Sequence, residues 1–366
     1  MTEGIEFTAN TINDPDPRKL TEELVDEIKK SATVPKQIKR IAARSRNWGV
    51  PRSFVGYRVD PTVQALGNAR KWILRSEDGG PDYIIKYPDK NGLTETLTEL
   101  LINQLGADCG FDMAHSGLAS VDGIPVFVTR SFLGSDEHLV HGSFLIEESF
   151  RAKGELARIP RNQEQEFYSI DFVVNTIHDY CGEDGASVVT KFVEMLVFDA
   201  VVGSNDRHPQ NWGVIRASKT QAGYRFSPIF DTSRALLWNT SDAKLQLFAR
   251  DPRLLGFHIA RARPLLGPET NFLKTLRLTT STCNHFQFLQ SLFHVLPHLK
   301  GTAITKVPSD VGRIAAKLLR EFPFRSVFTK VRREMIVKLI SLRADQVCRL
   351  LEKGGEIECS DPFVSC

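Results

Sequence analysis

The clearest pattern along this chain is a helical repeat of apolar residues followed by two short strand-like runs. Between residues 188 and 201, apolar side chains recur at three- and four-residue spacing, which predicts a helix that buries one face. Gly203 follows and predicts the end of the helix, because glycine readily adopts the left-handed conformation found there. Residues 212–215 and 224–230 then predict two strands joined by a polar turn.

A short polar loop between the helix and the hairpin carries the most informative side chains. Residues 204–212 read Ser-Asn-Asp-Arg-His-Pro-Gln-Asn-Trp. If the two strands pair antiparallel, Asn211 and Asp231 lie at the same open end of the hairpin, within about 5 Å across the pair. Their oxygen atoms, with no cysteine nearby, favour Mg²⁺ over zinc, and Asp206 could orient the attacking hydroxyl of a phosphoryl transfer. The alternative is an ordinary polar turn, since Asn, Asp, Ser and Pro are frequent in turns.

The loop and the second strand together resemble the active-site signature of a known enzyme family. The residues concerned are Gly203-Ser204-Asn205-Asp206-Arg207-His208-x-x-Asn211-Trp212-Gly213 and Ser227-Pro228-Ile229-Phe230-Asp231. This pattern is similar to that of the HipA-like serine/threonine kinases, and in particular to their compact, CtkA-type members. Ordinary protein kinases carry a reversed His-Arg-Asp order.

The resemblance implies a role for each polar residue of the loop. Asp206 would be the catalytic base, and Asn211 and Asp231 would be the Mg²⁺ ligands. His208 would either contact phosphate or steady the loop. Arg207 would neutralise developing charge or anchor a regulatory phosphate, and the alternative for Arg207 is a surface salt bridge.

An upstream strand offers a lysine for the phosphates of ATP. Residues 83–88 form an apolar run interrupted by Lys86, and a lysine in such a run is costly unless it is paired. Glu95 opens a helix-like run and precedes Gly106 as the family's helix glutamate precedes its Leu-Gly. We therefore expect a Lys86–Glu95 ion pair beneath the phosphates, with Glu99, one turn later, as the second choice. The alternative is that Lys86 reaches solvent from an edge strand.

Two further segments are candidates for nucleotide binding. Residues 124–132 predict a strand that leads into a connector, and they match the family's hinge, whose backbone groups would bind adenine. The predicted hinge residues are Val128, Thr129, Arg130 and Ser131. Residues 66–71 resemble the family's phosphate-covering loop, in which Gly67 and Asn68 would offer backbone N–H groups and Lys71 follows. A plain turn before a strand is the alternative for this loop.

Length, composition and charge limit the remaining functional classes. The chain has 366 residues, 42% of them hydrophobic, and a formal net charge of +3, so it is long enough for two lobes and its overall charge does not require nucleic acid. No apolar run is long enough for a transmembrane helix, and the polar, acidic N-terminus argues against a cleavable signal peptide. The cysteines are scattered without a CxxC motif and indicate reduced thiols. We expect a cytoplasmic bacterial protein, or an effector secreted without a cleavable signal.

The resemblance implies an α+β, bilobal protein-kinase-like fold with a small β-rich N-lobe and a larger helical C-lobe. We predict a partly helical, basic N-terminal extension over residues 1–48 and an N-lobe over residues 49–132. The C-lobe, over residues 133–366, would hold the catalytic loop, the metal-binding hairpin and a C-terminal helical bundle.

The predicted function is an ATP- and Mg²⁺-dependent protein serine/threonine kinase that also phosphorylates itself. Its partners would be a protein substrate with a Ser/Thr acceptor and a separate antitoxin-like or regulatory chain, which the resemblance implies. One alternative is a lipid or small-molecule kinase, because the phosphatidylinositol kinases share the Asp-Arg-His-x-x-Asn core. A second is a toxin or effector module that acts through a binding partner without catalysis. Direct nucleic-acid binding through the basic residues of 29–46 is not expected, because a solvated helix face explains their charges.

Overall fold

The computed structural model describes residues 50–51, 54, 56–60, 71–88, 92–121, 124–152, 168–217, 223–269, 283–304 and 307–352. The strands are β1 (Tyr57–Val59), β2 (Lys71–Ser76), β3 (Tyr83–Lys86), β4 (Ser116–Val121), β5 (Ile124–Arg130), β6 (Glu137–His141), β7 (Gly213–Ala217) and β8 (Arg225–Phe226). The helices are α1 (Leu93–Asp108), α2 (Gly142–Ala152), α3 (Ile170–Cys181), α4 (Gly185–Val202), α5 (Asp242–Arg250), α6 (Pro252–Arg261), α7 (His285–Val295), α8 (Lys300–Ile304), α9 (Val311–Arg320), α10 (Phe324–Val327) and α11 (Lys330–Glu352). Short 3-10 helices cover Gly182–Asp184, Pro209–Asn211 and Pro297–Leu299.

An antiparallel sheet of five strands forms the first part of the described chain, in the order β1-β2-β3-β5-β4. Ile85 of β3 pairs with Val128 of β5, and both belong to a small apolar cluster on one face of the sheet. Successive side chains of a strand point to opposite faces, so Lys86 leaves on the other face. Lys71 of β2 lies directly opposite Lys86, and the two lysines therefore share that face.

A second sheet, in the order β6-β7-β8, contains the predicted hairpin. Val214 of β7 pairs antiparallel with Phe226 of β8, which confirms the predicted pairing. The second strand is shorter than predicted, because the chain leaves the hairpin after Phe226 and Ile229 instead forms a parallel bridge with Met113. This bridge holds the segment before Asp231 against Met113, which lies between α1 and β4 in the chain.

Helix α4 lies at the centre of the larger, helical part of the molecule. The predicted one-faced helix is in fact buried on all sides from Phe192 to Val202, because α3, α11 and β8 pack around it. Fully burying one Phe or Leu side chain stabilises the folded state by about 1.5–3 kcal/mol, so this helix is a major source of stability. None of the helices in the described ranges is both long and apolar enough to cross a membrane. The sheet and the larger helical part confirm the predicted α+β class.

Candidate active site

The polar loop begins at a left-handed glycine, as the sequence predicts. Gly203 has a φ of 70°, and its N–H donates to the carbonyl of Asp199. A Cβ atom at this position would lie 3.2 Å from the guanidinium of Arg343, so a larger residue would be both strained and crowded. The carbonyl of Ser204 then accepts a hydrogen bond from Nε2 of the buried His285, at 2.8 Å.

Arg207 is buried and holds the loop together. Its guanidinium donates to both carboxylate oxygens of Asp199, at 2.8 and 2.9 Å, and Nη1 donates to the carbonyls of Asn211 and Phe230, at 2.7 and 2.9 Å. Burial alone would lower the pKa of Arg207, but the Asp199 carboxylate outweighs burial and raises it. The predicted phosphate contact and the surface salt bridge are both wrong, because the side chain is only 1% exposed and its donors bind protein groups.

The same arginine brings the two candidate metal ligands together. Asn211 precedes β7, and Phe230 precedes Asp231, so the two carbonyls on Nη1 fix both segments at one point. Nδ2 of Asn211 donates to the carbonyl of Asp206 at 2.8 Å, which leaves its Oδ1 as the acceptor. No donor among the described residues occupies that oxygen.

Asp231 lies between two lysines. Its Oδ2 is 2.6 Å from Nζ of Lys71 and its Oδ1 is 3.1 Å from Nζ of Lys86. The residue has a φ of 52°, a left-handed conformation that is uncommon for non-glycine residues and often marks functional sites. Burial alone would raise the pKa of Asp231, but the two ammonium groups lower it below its ordinary range. The carboxylate is therefore negative at neutral pH.

Lys86 forms its ion pair with Glu99, which corrects the first choice made from the sequence. Nζ of Lys86 lies 3.0 Å from Oε2 of Glu99 and 3.1 Å from Oγ of Ser233. Glu95, one helical turn earlier on α1, is buried but is not the partner of this lysine. Lys86 is also 8% exposed on an interior strand, so the alternative of an edge-strand lysine in solvent is wrong. Its pKa is raised, because Glu99 and Asp231 outweigh the effect of burial.

Asp206 is the most accessible carboxylate of the loop. Its side chain is 27% exposed, and Oδ2 lies 3.5 Å from Nε of Arg234. It lines a cavity of about 520 Å³, so a substrate hydroxyl can reach it.

His208 steadies the turn that follows it. Its Nδ1 accepts a hydrogen bond from the backbone N–H of Gln210 at 3.3 Å. That contact caps the 3-10 helix Pro209–Asn211, which matches the loop-steadying role rather than a phosphate contact.

The predicted hinge lies too early in the sequence. Val128 and Thr129 are inside β5, which pairs with β3 on one side and β4 on the other. The N–H of Arg130 donates to the carbonyl of His115 and that of Ser131 to the carbonyl of Asp82, both at 2.8 Å. These two N–H groups are therefore occupied by the sheet and are not available to adenine. Gly67 and Asn68 of the predicted phosphate-covering loop lie outside the described residues.

The donor set at this site fits a magnesium ion held jointly with phosphate. Magnesium prefers oxygen ligands and usually keeps one or two protein ligands beside phosphate and water oxygens. Asp231 supplies a carboxylate and Asn211 a carboxamide oxygen. In the described part of the chain, no group of three or more His, Cys, Asp or Glu side chains could hold a metal on its own, so the remaining ligands would come from the nucleotide.

Asp199 was missed by the sequence reasoning, although the sequence carries a signal for it. Asp199 interrupts the apolar run of α4 and is 2% exposed, and a carboxylate buried in this way requires a cation. Arg207 is the first arginine after it in the sequence. A second missed contact joins Nδ2 of Asn103 to Oγ1 of Thr232 at 3.0 Å, which ties α1 to the segment carrying Asp231.

Comparison with known families identifies the family of this chain. A profile of the HipA-like C-terminal domain matches residues 62–276, more than half of the chain. The chain belongs to this family. The resemblance drawn from the loop and the hairpin is thereby confirmed, and the matched range contains Lys86, Asp206 and Asp231.

Individual relatives give a local sequence match and a broader structural one. The serine/threonine-protein kinase CtkA of Helicobacter pylori is 40% identical over 55 residues, which are 15% of this chain and 17% of that protein. The crystal structure of the Helicobacter pylori proinflammatory kinase CtkA has a TM-score of 0.60 and 18% identity, and covers 82% of this chain and 96% of that chain. This likeness shows the fold. The HipA toxin-antitoxin complex of Shewanella oneidensis MR-1, with HipB and operator DNA, has a TM-score of 0.42 and 11% identity, with 92% and 85% covered.

Proposed function

We propose that this chain is an ATP- and Mg²⁺-dependent kinase that phosphorylates serine or threonine hydroxyls of a protein. One observation carries the proposal. The Asp231 carboxylate is held between Lys71 and Lys86. Nη1 of Arg207 donates to the carbonyls of both Asn211 and Phe230, the residue before Asp231. Two oxygen ligands and a neighbouring positive charge support the binding of a metal-bound triphosphate here.

Each side chain then has a distinct task. Asn211 and Asp231 would hold Mg²⁺, which when bound neutralises charge on the phosphate oxygens of ATP. Lys86, fixed by Glu99, would bind phosphate oxygens of the nucleotide. Asp206 would orient the acceptor hydroxyl and accept its proton, a role that its exposure and its place in the cavity permit.

The adenine would lie beyond the predicted hinge residues. Strand β5 ends at Arg130 and β6 begins at Glu137, so the connector of residues 131–136 joins the two sheets. The ring of Phe132 packs against that of Phe230 with centroids 5.7 Å apart, which brings the start of this connector next to the segment carrying Asp231. The N–H of Phe132 and the carbonyl of Leu133 are therefore our candidates for adenine binding, since the Phe132 carbonyl and the N–H groups of Leu133 and Gly134 already have protein partners.

Transfer of labelled phosphate from Mg-ATP to protein acceptors tests the proposal. Asp206→Asn and Asp231→Asn should each abolish transfer while circular dichroism and thermal unfolding show an intact fold. Asp345→Asn, at an exposed position of α11, is the matched control and should keep wild-type activity. Equal activity of all three variants would overturn the assignment.

The nature of the acceptor needs its own comparison. Protein, phosphatidylinositol vesicles and small alcohols should be offered separately with the same labelled nucleotide. Label on protein is expected, and label on lipid alone would replace the protein-kinase proposal with the lipid-kinase alternative. We also propose autophosphorylation, and mass spectrometry after incubation with Mg-ATP should then find phosphoserine or phosphothreonine in the wild type but not in Asp206→Asn.

A separate regulatory chain remains part of the proposal, on the strength of family membership alone. Co-expression of this chain with its neighbouring open reading frames, followed by co-purification, tests it. Recovery of this chain without any stoichiometric companion would remove the partner from the proposal and leave the kinase assignment untouched.

A further inference from the structure

The cavity beside Asp206 has a strongly basic lining. It measures about 520 Å³ and lies among the end of α4, the segment after Asp231, and helices α5, α6 and α11. The charged or titratable residues that line it are Asp206, Arg234, Lys244, His258, Arg261 and Arg343. Four arginine or lysine side chains thus face one carboxylate. The proposed kinase reaction uses only Asp206 among them, so the basic residues require another explanation.

Arg343 is the most unusual member of this lining. It is only 1% exposed, yet it has no carboxylate partner among the described residues. Nε donates to the carbonyl of Ala200 at 2.7 Å and Nη1 to that of Ile259 at 3.0 Å, whereas Nη2 has no hydrogen-bond partner in the described part of the chain. Burial lowers the pKa of Arg343 to about 9. A buried cation of this kind is costly unless an anion compensates it.

The neighbouring residues leave the positive charge uncompensated. Lys244 and Arg261 are exposed, and no carboxylate of the described residues lies within ion-pair distance of either. Nε of Arg234 is 3.5 Å from Oδ2 of Asp206, so the single carboxylate of the lining already forms an ion pair with one of the four cations. Burial together with the charges of Lys244 and Arg343 lowers the pKa of His258, and burial together with Arg343 lowers that of His285. Both imidazoles therefore stay neutral in a positive environment.

We propose that this cavity binds a phosphorylated serine or threonine of the protein substrate, next to the hydroxyl that is to be phosphorylated. A phosphate monoester carries nearly two negative charges and three acceptor oxygens, which suits several converging cations better than a single carboxylate does. Because Asp206 lines the same cavity, the bound phosphate would lie close to the acceptor hydroxyl. The substrate would thus need a priming phosphate, and this inference rests on the proposed kinase function.

Binding of phosphopeptides without nucleotide tests the cavity itself. The probes are a serine peptide carrying one phosphoserine, the same peptide unphosphorylated, O-phospho-L-serine and inorganic phosphate. Isothermal titration calorimetry should show that the wild type binds the phosphopeptide at least about tenfold more tightly than the unphosphorylated peptide, since charge-assisted hydrogen bonds are about twice as strong as neutral ones. Equal affinity for the two peptides would overturn the proposal.

Two pairs of substitutions locate the binding. Lys244→Ala with Arg261→Ala removes two exposed lining charges without disturbing buried Arg343, and should weaken phosphopeptide binding at least about tenfold. Arg250→Ala with Arg253→Ala removes the same charge from the same two helices but outside the lining, and should leave affinity unchanged. Equal weakening by both pairs would show a general charge effect and overturn the site.

Kinetics with a peptide panel separate this site from the kinase proposal. The phosphoserine should be moved through each position within about three residues of the acceptor, a reach of roughly 10 Å in an extended chain. At the matching position the wild type should show a KM at least about tenfold lower with kcat little changed, and the Lys244/Arg261 pair should lose that preference.

Transfer with no preference at any position overturns the priming site while the kinase stands. Phosphopeptide binding without transfer to any acceptor supports the site while the kinase proposal fails. Binding of O-phospho-L-serine or inorganic phosphate as tight as that of the phosphopeptide would assign the cavity to a free anion and overturn the substrate role.

Discussion

Nζ of Lys86 lies 3.0 Å from Oε2 of Glu99, and this ion pair ties strand β3 to helix α1. Glu99→Gln keeps the size of the side chain but removes the negative charge that orients the lysine. A hydrogen bond to a charged group contributes about 1.5–3 kcal/mol, so we expect kcat/KM for ATP to fall about 10- to 100-fold. Steady-state kinetics with a fixed protein acceptor would measure this.

Glu95→Gln is the matched control, because Glu95 is also buried and lies one turn away on the same helix. Its effect on kcat/KM should be at least several-fold smaller than that of Glu99→Gln. If the order were reversed, Glu95 rather than Glu99 would be the partner of Lys86 in the working enzyme, as the sequence first indicated.

The choice between these glutamates shows where sequence reasoning reaches its limit. Every residue of α1 from Glu95 to Gly106 is buried, so the helix has no exposed face from which hydrophobic periodicity could set its rotation. The packing of α1 against β4, β5 and α9 decides which glutamate faces Lys86. In contrast, the antiparallel pairing of β7 with β8 followed from local alternation and a single turn, whereas the hydrogen bonds of Arg207, which no local pattern predicts, hold the segments of Asn211 and Asp231 together.

The role predicted for Arg207 and the position predicted for the hinge differ from the structure for a related reason. The partner of Arg207, Asp199, lies eight residues earlier within helix α4, so the residue pattern of the loop alone does not reveal it. The hinge was placed too early because the apolar run ends at Val128 while the strand continues through the polar residues Thr129 and Arg130, and only the hydrogen bonds of Arg130 and Ser131 mark where the sheet stops.

Arg207 should matter for stability as much as for activity. Arg207→Met leaves the Asp199 carboxylate buried without its cation, and breaking a buried pair in this way costs about 3–5 kcal/mol. Urea unfolding should therefore show a much smaller free energy of unfolding. Arg225→Met is the control, because its ion pair with Glu137 is half exposed and such pairs contribute below about 1 kcal/mol.

A second substitution distinguishes lost pairing from lost packing. Combining Arg207→Met with Asp199→Leu removes both charges and should recover part of the lost stability, since an apolar replacement of a buried pair is often tolerated. No recovery in the double variant would mean that the hydrogen bonds to the carbonyls of Asn211 and Phe230, rather than the ion pair, supply the stabilisation.

His285 should make stability depend on pH. Its pKa in the folded protein is lowered well below 6.5, chiefly by burial and further by Arg343. Below about pH 6.5 the unfolded chain therefore binds a proton that the folded chain does not, so the free energy of unfolding falls as the pH falls, by up to about 1.4 kcal/mol per pH unit for each such group. Urea unfolding between pH 7.5 and 5.5, a range roughly centred on the ordinary pKa of an imidazole in the unfolded chain, would measure the slope.

His285→Gln should reduce this slope by the contribution of up to one bound proton, about 1.4 kcal/mol per pH unit. The glutamine keeps a side-chain N–H that can donate to the carbonyl of Ser204. Part of the slope should persist, because burial also lowers the pKa values of His258 and His141. His298→Gln, at an exposed position, should keep the wild-type slope. An unchanged slope in His285→Gln would mean that the buried imidazole does not resist protonation.

Lys71 occupies the oxygen that a metal ion would need. Its Nζ lies 2.6 Å from Oδ2 of Asp231, and an ammonium group at that distance competes electrostatically with a divalent cation for the same oxygen. Lys71→Met removes the competing charge, so the Mg²⁺ concentration for half-maximal activity, measured at saturating ATP, should fall several-fold. Arg75→Met, on the same strand but paired with Asp60 and Asp82 far from the loop, should leave it unchanged. If Lys71→Met instead raised the Mg²⁺ requirement, Lys71 would be acting with the metal on the nucleotide and not against it at Asp231.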